Sequence, residues 1–311
     1  MPTRKIVVTG AAGLVGQNLI PRLKRDARNE IVAIDKHKKN IAILRQLHPE
    51  LRIVEADLAV PGGWEQELEG CTHLMIGHAQ IGGIYHDEFV RNNILASERL
   101  IEAALRCNVG YAINISSSVV NSMATDDYTE TKKAQEAINA ASGIKQVVLR
   151  PTLMFGWFDR KHVGWLARFM QKAPVFPIPA DGRFLRQPLY AGDFCDIIAS
   201  ALDTEITGAY NISGQERIDY IDLIRLVKAA TGAKTPIVKI PYALFSLLLK
   251  TNAMVDKNPP FTVKQLQALV TPDVFEVIDW PSIFNVRSTP LQEALHETFR
   301  DPTYSSVVLD F

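Results

Sequence analysis

The first half of the chain alternates two kinds of hydrophobic pattern. Short apolar runs fall at 5–9, 30–34, 51–55, 73–77, 111–116 and 145–150, each the length of one buried strand. Between them, at 14–25, 39–47, 88–106 and 127–141, apolar residues recur every three or four positions, the spacing of amphipathic helices. Strand–helix alternation predicts an α/β fold: a doubly wound parallel sheet with helices on both faces and its ligand crevice at the carboxyl ends of the strands. After Pro151 the pattern loosens. Pro174, Pro177, Pro179, Gly182 and Pro188 interrupt 173–190. Further on, a helix is expected over Asp193–Leu202, a short strand over Ala209–Ile212, an amphipathic helix over Ile218–Thr231, and helices over 241–250, 262–270 and 290–299.

The turn after the first run carries the first chemical signal. Ile6-Val7-Val8-Thr9 leads into glycines at 10, 13 and 16, and a helical pattern follows. Free N–H groups and the helix dipole at such a turn attract a pyrophosphate. Gly10 permits the turn, Gly13 admits the phosphates, and Gly16 allows close packing of helix on strand. Ala12, Leu14 and Val15 complete the turn as cofactor contacts. Asp35 closes the second apolar run, where a carboxylate accepts ribose hydroxyls and repels a 2′-phosphate; its alternative reading is a strand cap. This favours NAD. Lys36, Lys38 and Lys39 follow directly and leave NADP open. The organisation expected is a Rossmann-type domain over 1–172, taking its last sheet elements from 183–215, with a smaller interleaved substrate-binding region over 173–311.

Composition narrows the class. Lys+Arg and Asp+Glu are equal at 34 each, so charge gives no argument for nucleic acid or an anionic membrane as partner. Cys71, Cys107 and Cys195 lack metal or redox spacing and read as reduced thiols of a cytoplasmic protein; no metal site is expected. Met1–Lys5 leads straight into the first strand, which argues against a signal peptide. The longest apolar stretch, Tyr242–Leu249, is well short of the ~20 residues of a membrane span.

Tyr128 and Lys132 lie four apart on a helical pattern and so share one face. Lysine charge near a phenol favours the phenolate, which can exchange a proton with a hydroxyl or carbonyl while hydride passes to or from a nicotinamide. Ser116-Ser117-Ser118 end the run before that helix, where a serine can bond the same substrate oxygen or merely cap local backbone.

In order along the chain, these motifs resemble the extended short-chain dehydrogenase/reductase family, in its NAD-dependent epimerase/dehydratase branch. Thr9–Gly16 is similar to TGxxGxxG. Asp57-Leu58 resembles the acidic pair that contacts adenine, and Gly77-His78-Ala79-Gln80 the small-residue loop beside the cofactor. Asn93–Ser97 with Leu100–Ala104 resembles NVxGT…LLEAA. Ser117, Tyr128 and Lys132 match the triad, and Arg150–Gly156 resembles RPxxxYG, which brings Pro151 and Leu153 beside the nicotinamide. Arg186–Asp193, Tyr210–Gly214 and Ser288–Leu295 resemble RDFVHVDD, YNIGG and TPLEEAL.

The resemblance implies Tyr128 as general acid/base, Lys132 as its partner, Ser117 as orienter and Asn93 in the relay or in helix geometry. It implies His78 as cofactor wall, Arg186 and Arg287 as contacts to a substrate diphosphate, and a homodimer through the helices at 88–106 and 127–141. The chain departs from the pattern at Asn121-Ser122, which stand for Tyr-Gly, and has only 11 residues from Ser117 to Tyr128. Ser118 therefore competes with Ser117 for the catalytic place, and serves otherwise in substrate binding. Residues 157–162 are expected either to line the pocket or to form a solvated loop. Three functions follow: an NAD(P)-dependent oxidoreductase, epimerase or dehydratase of a nucleotide-sugar or related substrate; a dehydrogenase/reductase of a hydrophobic steroid-like or flavonoid-like substrate, favoured by the short loop and apolar 242–249; and a non-catalytic cofactor-binding protein.

Overall fold

The computed structural model describes residues 3–123, 125–255, 262–271 and 274–310. Pro259 and Pro260, which the sequence sets beside the apolar helix, lie outside them.

Seven parallel strands form the central sheet. Across it lie Gly208–Ile212, Lys145–Pro151, Tyr111–Ile115, His73–Ile76, Arg4–Thr9, Asn29–Asp35 and Arg52–Glu55. Arg4–Thr9 pairs on one side with the second strand in sequence and on the other with the fourth, aligning Val7 with Val32 and with Leu74. The strand order reverses there, the point at whose carboxyl ends open α/β sheets place their ligands. Alternation of side chains divides the core. Ile6, Val8, Ile31, Ala33, Ile113 and Leu149 pack with Leu19 and Ile20 of helix Leu14–Leu23 and with Phe194 and Ile198 of helix Ala191–Thr204. Val7, Val32, Ile34, Leu74 and Ile76 face the other way, toward Leu100, Ala103 and Ala104 of helix Ala96–Arg106. Runs apolar on both faces are what a sheet covered by helices on both sides requires.

Two expected elements differ in detail. The helix expected over 88–106 is a composite: an α turn at His86–Phe89, a π-helical turn at Val90–Leu95, then Ala96–Arg106. The proline-broken segment builds short strand pairs. Phe176–Pro179 lies parallel to Ile237–Ile240, Leu185–Arg186 lies antiparallel to Ile218–Asp219, and Met154–Phe155 lies parallel to Leu189–Tyr190. Pro177 and Pro179 are tolerated because a two-stranded sheet leaves each strand an edge. Helices Tyr220–Thr231, Tyr242–Val255, Val263–Val270 and Leu291–Arg300 complete the second region. Among the described residues, no helix is long and apolar enough to cross a membrane.

Candidate active site

The glycine turn is fixed by backbone packed on backbone. Gly10 has a φ of +65°, and a Cβ there would lie 2.6 Å from the Gly77 carbonyl and 2.8 Å from the His78 nitrogen. A Cβ on Gly16 would lie 2.4 Å from the Ala11 carbonyl oxygen. Gly13 caps helix Leu14–Leu23 with no side-chain bond, and first-turn N–H groups such as those of Leu14 and Val15 have no partner within a helix. Asp35 stands at the end of its strand. One carboxylate oxygen accepts the Ala12 N–H at 2.9 Å and the other accepts the His37 N–H at 2.8 Å. A turn closed to a Cβ at Gly10 and Gly16, uncapped amides and a carboxylate tied to the same turn fit a dinucleotide with free ribose hydroxyls.

The lysines after Asp35 each face a carboxylate. Lys36 lies 3.8 Å from Asp57 and also donates to Asn92, Lys38 lies 3.7 Å from Glu55, and Lys39 lies 2.6 Å from Asp310. Asp57 further accepts from Arg91 at 3.0 Å and from the Ala59 N–H. Leu58 is buried in the core. Beyond the fourth strand, Gly77 donates its N–H to the Thr9 hydroxyl, and Ala79 is exposed.

The serine–tyrosine segment follows strand Tyr111–Ile115, which lies two strands from the one that leads into this turn. Ser117 caps a short 3-10 turn, Ser118–Asn121, accepts the Val119 N–H, and lies near enough to the Tyr128 phenol to lower its pKa. Ser116 donates to Glu136 at 2.6 Å, and Ser118 opens the 3-10 turn. Asp126 caps helix Asp127–Ala141 by accepting the Thr129 N–H. The helix sets Tyr128 and Lys132 one turn apart. Lys132 is almost wholly buried; its ammonium donates to the Ile115 carbonyl at 2.9 Å and to Gln135 Oε1. Burial pulls that lysine down to about 8, against the opposing pull of Glu136. The Tyr128 phenol moves opposite to the expectation drawn from its lysine. Burial pushes it up, and this outweighs the lowering by Ser117.

Other predicted site residues are distributed more widely. Asn93 is fully buried in the π turn, and its side-chain amide is engaged by Gln80 main chain and the Thr131 hydroxyl. It clamps the loop after the fourth strand onto the tyrosine helix. Pro151 ends its strand buried, and Leu153 is half exposed beside it. Arg186 donates to the main-chain carbonyls of Leu269 and, at 2.8 Å, Thr271. Arg287 pairs on the surface with Glu293 at 2.6 Å.

Residues 157–162 form a loop whose charged end, Lys161 and His162, is exposed and whose aromatic end is buried. Trp157 and Phe158 are buried with Leu309, packed by Tyr304 and Leu14, while the Asp159 carboxylate accepts the N–H groups of Lys161, His162 and Gly164. The aromatic pair is a docking surface for the segment 304–309, which its charge-rich neighbours conceal in sequence.

The sequence missed Ser97 and Gln135, both buried and linked to each other and to His78. The available signal was Gln135 three residues after Lys132, on the same helix face. Among the described residues, no cluster of His, Cys, Asp and Glu can hold a metal ion.

Comparison with known proteins adds a family. The model of the NAD dependent epimerase/dehydratase family matches residues 6–213. A Bacillus subtilis protein described as an uncharacterized UDP-glucose epimerase, YtcB, is 26% identical over 269 residues, covering 74% of this chain and 83% of that protein. A ceramide reductase of Caulobacter vibrioides is 21% identical over 243 residues, covering 76% of this chain and 73% of that one. The crystal structure of UDP-glucuronic acid 4-epimerase from Bacillus cereus, in complex with NAD, superposes with a TM-score of 0.69 at 21% identity over 94% of each chain, which establishes a shared fold.

Proposed function

Because the chain belongs to the NAD dependent epimerase/dehydratase family, we propose that it is an enzyme that binds NAD in the glycine turn and moves hydride to and from a hydroxyl or keto carbon of a nucleotide-sugar. The observation that carries this reading is a Tyr128 phenol near Ser117 and one helical turn from the buried Lys132, in a chain whose glycine turn is built for a dinucleotide.

In this reading the first-turn amides of helix Leu14–Leu23 receive the pyrophosphate, and Asp35 receives the adenosine ribose. NAD supplies the hydride acceptor when bound. Tyr128, as the phenolate, takes the proton of the substrate hydroxyl at its phenol oxygen and, as the phenol, returns it to the carbonyl. Ser117 holds the same substrate oxygen. Lys132, charged and shielded from water, offsets the cost of a buried phenolate. The paired lysines after Asp35 support NAD over NADP, since each cation already faces an acid. The organisation into a cofactor-binding region and a smaller substrate region, and a homodimer through helices Ala96–Arg106 and Asp127–Ala141, belong to the same proposal.

Mass spectrometry of the purified protein tests the cofactor. Tightly held NAD supports an epimerase or dehydratase, in which the cofactor recycles; reversible binding of NADPH to an empty site supports a reductase. Turnover of UDP-, dTDP- and GDP-sugars, lost in Tyr128→Phe, tests the chemistry. A Tyr128→Phe protein with unaltered activity and phenotype overturns the reading and leaves the non-catalytic alternative.

One observation favours a second reading, a hydrophobic alcohol or ketone as substrate. Ile84, Tyr85 and Met123 are 85%, 64% and 96% exposed on the loops that precede the tyrosine helix, and His86 bonds the first of those loops to Asp127 at 2.7 Å. The similarity to a ceramide reductase is compatible with this. Retained activity on a hydrophobic ketone, with none on any nucleotide-sugar, decides for it.

A further inference from the structure

We propose that His78 is a positioning residue that orients Lys132, through Ser97 and Gln135, and links it to the glycine turn at Thr9. The proposal rests on the reading of Lys132 as partner of Tyr128, and it concerns groups that the family resemblance leaves as a passive cofactor wall.

The bonds form one directed chain. The Thr9 hydroxyl accepts the Gly77 N–H at 3.1 Å and donates to the Met75 carbonyl at 3.2 Å. Its remaining lone pair faces His78 Nδ1 at 3.0 Å, so the hydrogen-bond pattern assigns the proton to Nδ1. Nε2 is then an acceptor, and it lies 3.1 Å from the Ser97 hydroxyl, which donates to it. The Ser97 oxygen in turn accepts from Gln135 Nε2 at 2.9 Å, and the same amide nitrogen donates to the His78 main-chain carbonyl at 3.2 Å. Both Gln135 N–H directions are thereby taken. Its Oε1 is left facing the Lys132 ammonium, which donates to it. A reversed amide would set N–H against ammonium and carbonyl against carbonyl. Such a buried chain polarises its members in one direction and is costly to leave half made.

The surroundings agree with a neutral ring. Burial pulls the imidazole down to about 3, helped by the charges of Lys132 and Lys36. The charge that acts on Lys132 is Glu136, itself paired with Arg150; one helical turn away stands Tyr128, with Ser117 and Asp126 acting on it. His78 therefore serves as a fixed acceptor, not as an acid or base. Its main chain also packs against Gly10, where a Cβ would meet its nitrogen at 2.8 Å. One residue thus contacts both the cofactor turn and the lysine's partner.

The test follows the titration of Lys132 by the ¹³Cε NMR shift in the NAD-loaded protein, with the signal assigned by Lys132→Arg. The wild-type midpoint is expected near pH 8. His78→Ala and Ser97→Ala each free the Gln135 amide to turn toward the ammonium and lower the midpoint by roughly half a unit or more. His78→Gln, which carries a donor and an acceptor, restores it in part. In a Gln135→Ala background, His78→Ala adds no further shift, because the link is already gone. Ser97→Ala serves if His78→Ala does not fold. An unchanged midpoint in Ser97→Ala, or additive shifts in the double variant, overturns the proposal. The measurement needs no substrate, so it can fail while sugar turnover persists, and hold where no sugar is turned over.

Discussion

From Arg4 to Asp35 the chain is held by backbone pressed on backbone: Gly10 against Gly77, Gly16 against Ala11, and Asp35 bonded to the Ala12 N–H. From Phe176 to Ile240 it is held by paired strands of two to four residues, by carbonyl contacts from Arg186, and by ring contacts such as Phe184 on Tyr220. The first region has little freedom to adapt and suits a ligand of constant shape. The second joins segments far apart in sequence through small interfaces, and its geometry responds to side-chain changes. In the proposed enzyme the cofactor is constant and the substrate is the variable, which matches this division.

The comparison can be broken from either side. The largest effect is expected in Tyr128→Phe, which keeps the ring but loses the proton. Turnover of the substrate falls by about 10²–10⁴, with NAD binding and thermal stability close to wild type. A smaller turnover loss, or a lost fold, removes the tyrosine from the chemistry.

Next is Gly10→Ala. Its added Cβ has nowhere to move, because the opposing atoms are backbone, and its φ is left-handed. NAD binding, read by calorimetry, is expected to disappear, with a stability loss of about 2 kcal/mol or more. Ordinary NAD affinity in this variant contradicts the rigid account of the first region.

Asp193, in helix Ala191–Thr204, ties the second region to the segment before helix Leu291–Arg300 by accepting the Thr289 N–H and hydroxyl. Burial raises its carboxyl to about 6, against the lowering by Thr289. Because the folded value lies above the unfolded one, its contribution to stability is fully present below about pH 4 and is lost as pH rises through about 6. Asp193→Asn is expected to flatten the fall in melting temperature over that window, an effect on the order of 1–2 kcal/mol. An unchanged pH profile removes Asp193 from the coupling.

The smallest effect belongs to Arg186→Ala, about 1 kcal/mol in stability from the lost contacts to Leu269 and Thr271. It also sharpens the substrate assignment. With a nucleotide-sugar, KM rises about tenfold or more at little change in kcat. With a hydrophobic ketone, neither constant moves.

The first region and the tyrosine helix, Asp127–Ala141, were legible because their constraints are local. Glycine spacing, strand runs and the Tyr–Lys interval each act within a few residues, so Gly10, Asp35, Tyr128 and Lys132 stand where their motifs place them. The second region was not, because its strands are too short to show a period and their partners lie about 30 to 60 residues away. Prolines at 177 and 179 read as breakers, yet they lie in a strand whose edge tolerates them. Trp157 and Phe158 read as pocket or loop residues because nothing nearby announces that Leu309 covers them. The pairing of Lys39 with Asp310, and of His78 with Ser97, is likewise visible only once the chain is folded.

The most direct test mixes NAD-loaded protein with UDP-, dTDP- and GDP-sugars and follows absorbance at 340 nm. The account predicts a transient rise with at least one of them in the wild type, and no rise in Tyr128→Phe. No rise with any nucleotide-sugar, or an equal rise in Tyr128→Phe, would contradict it.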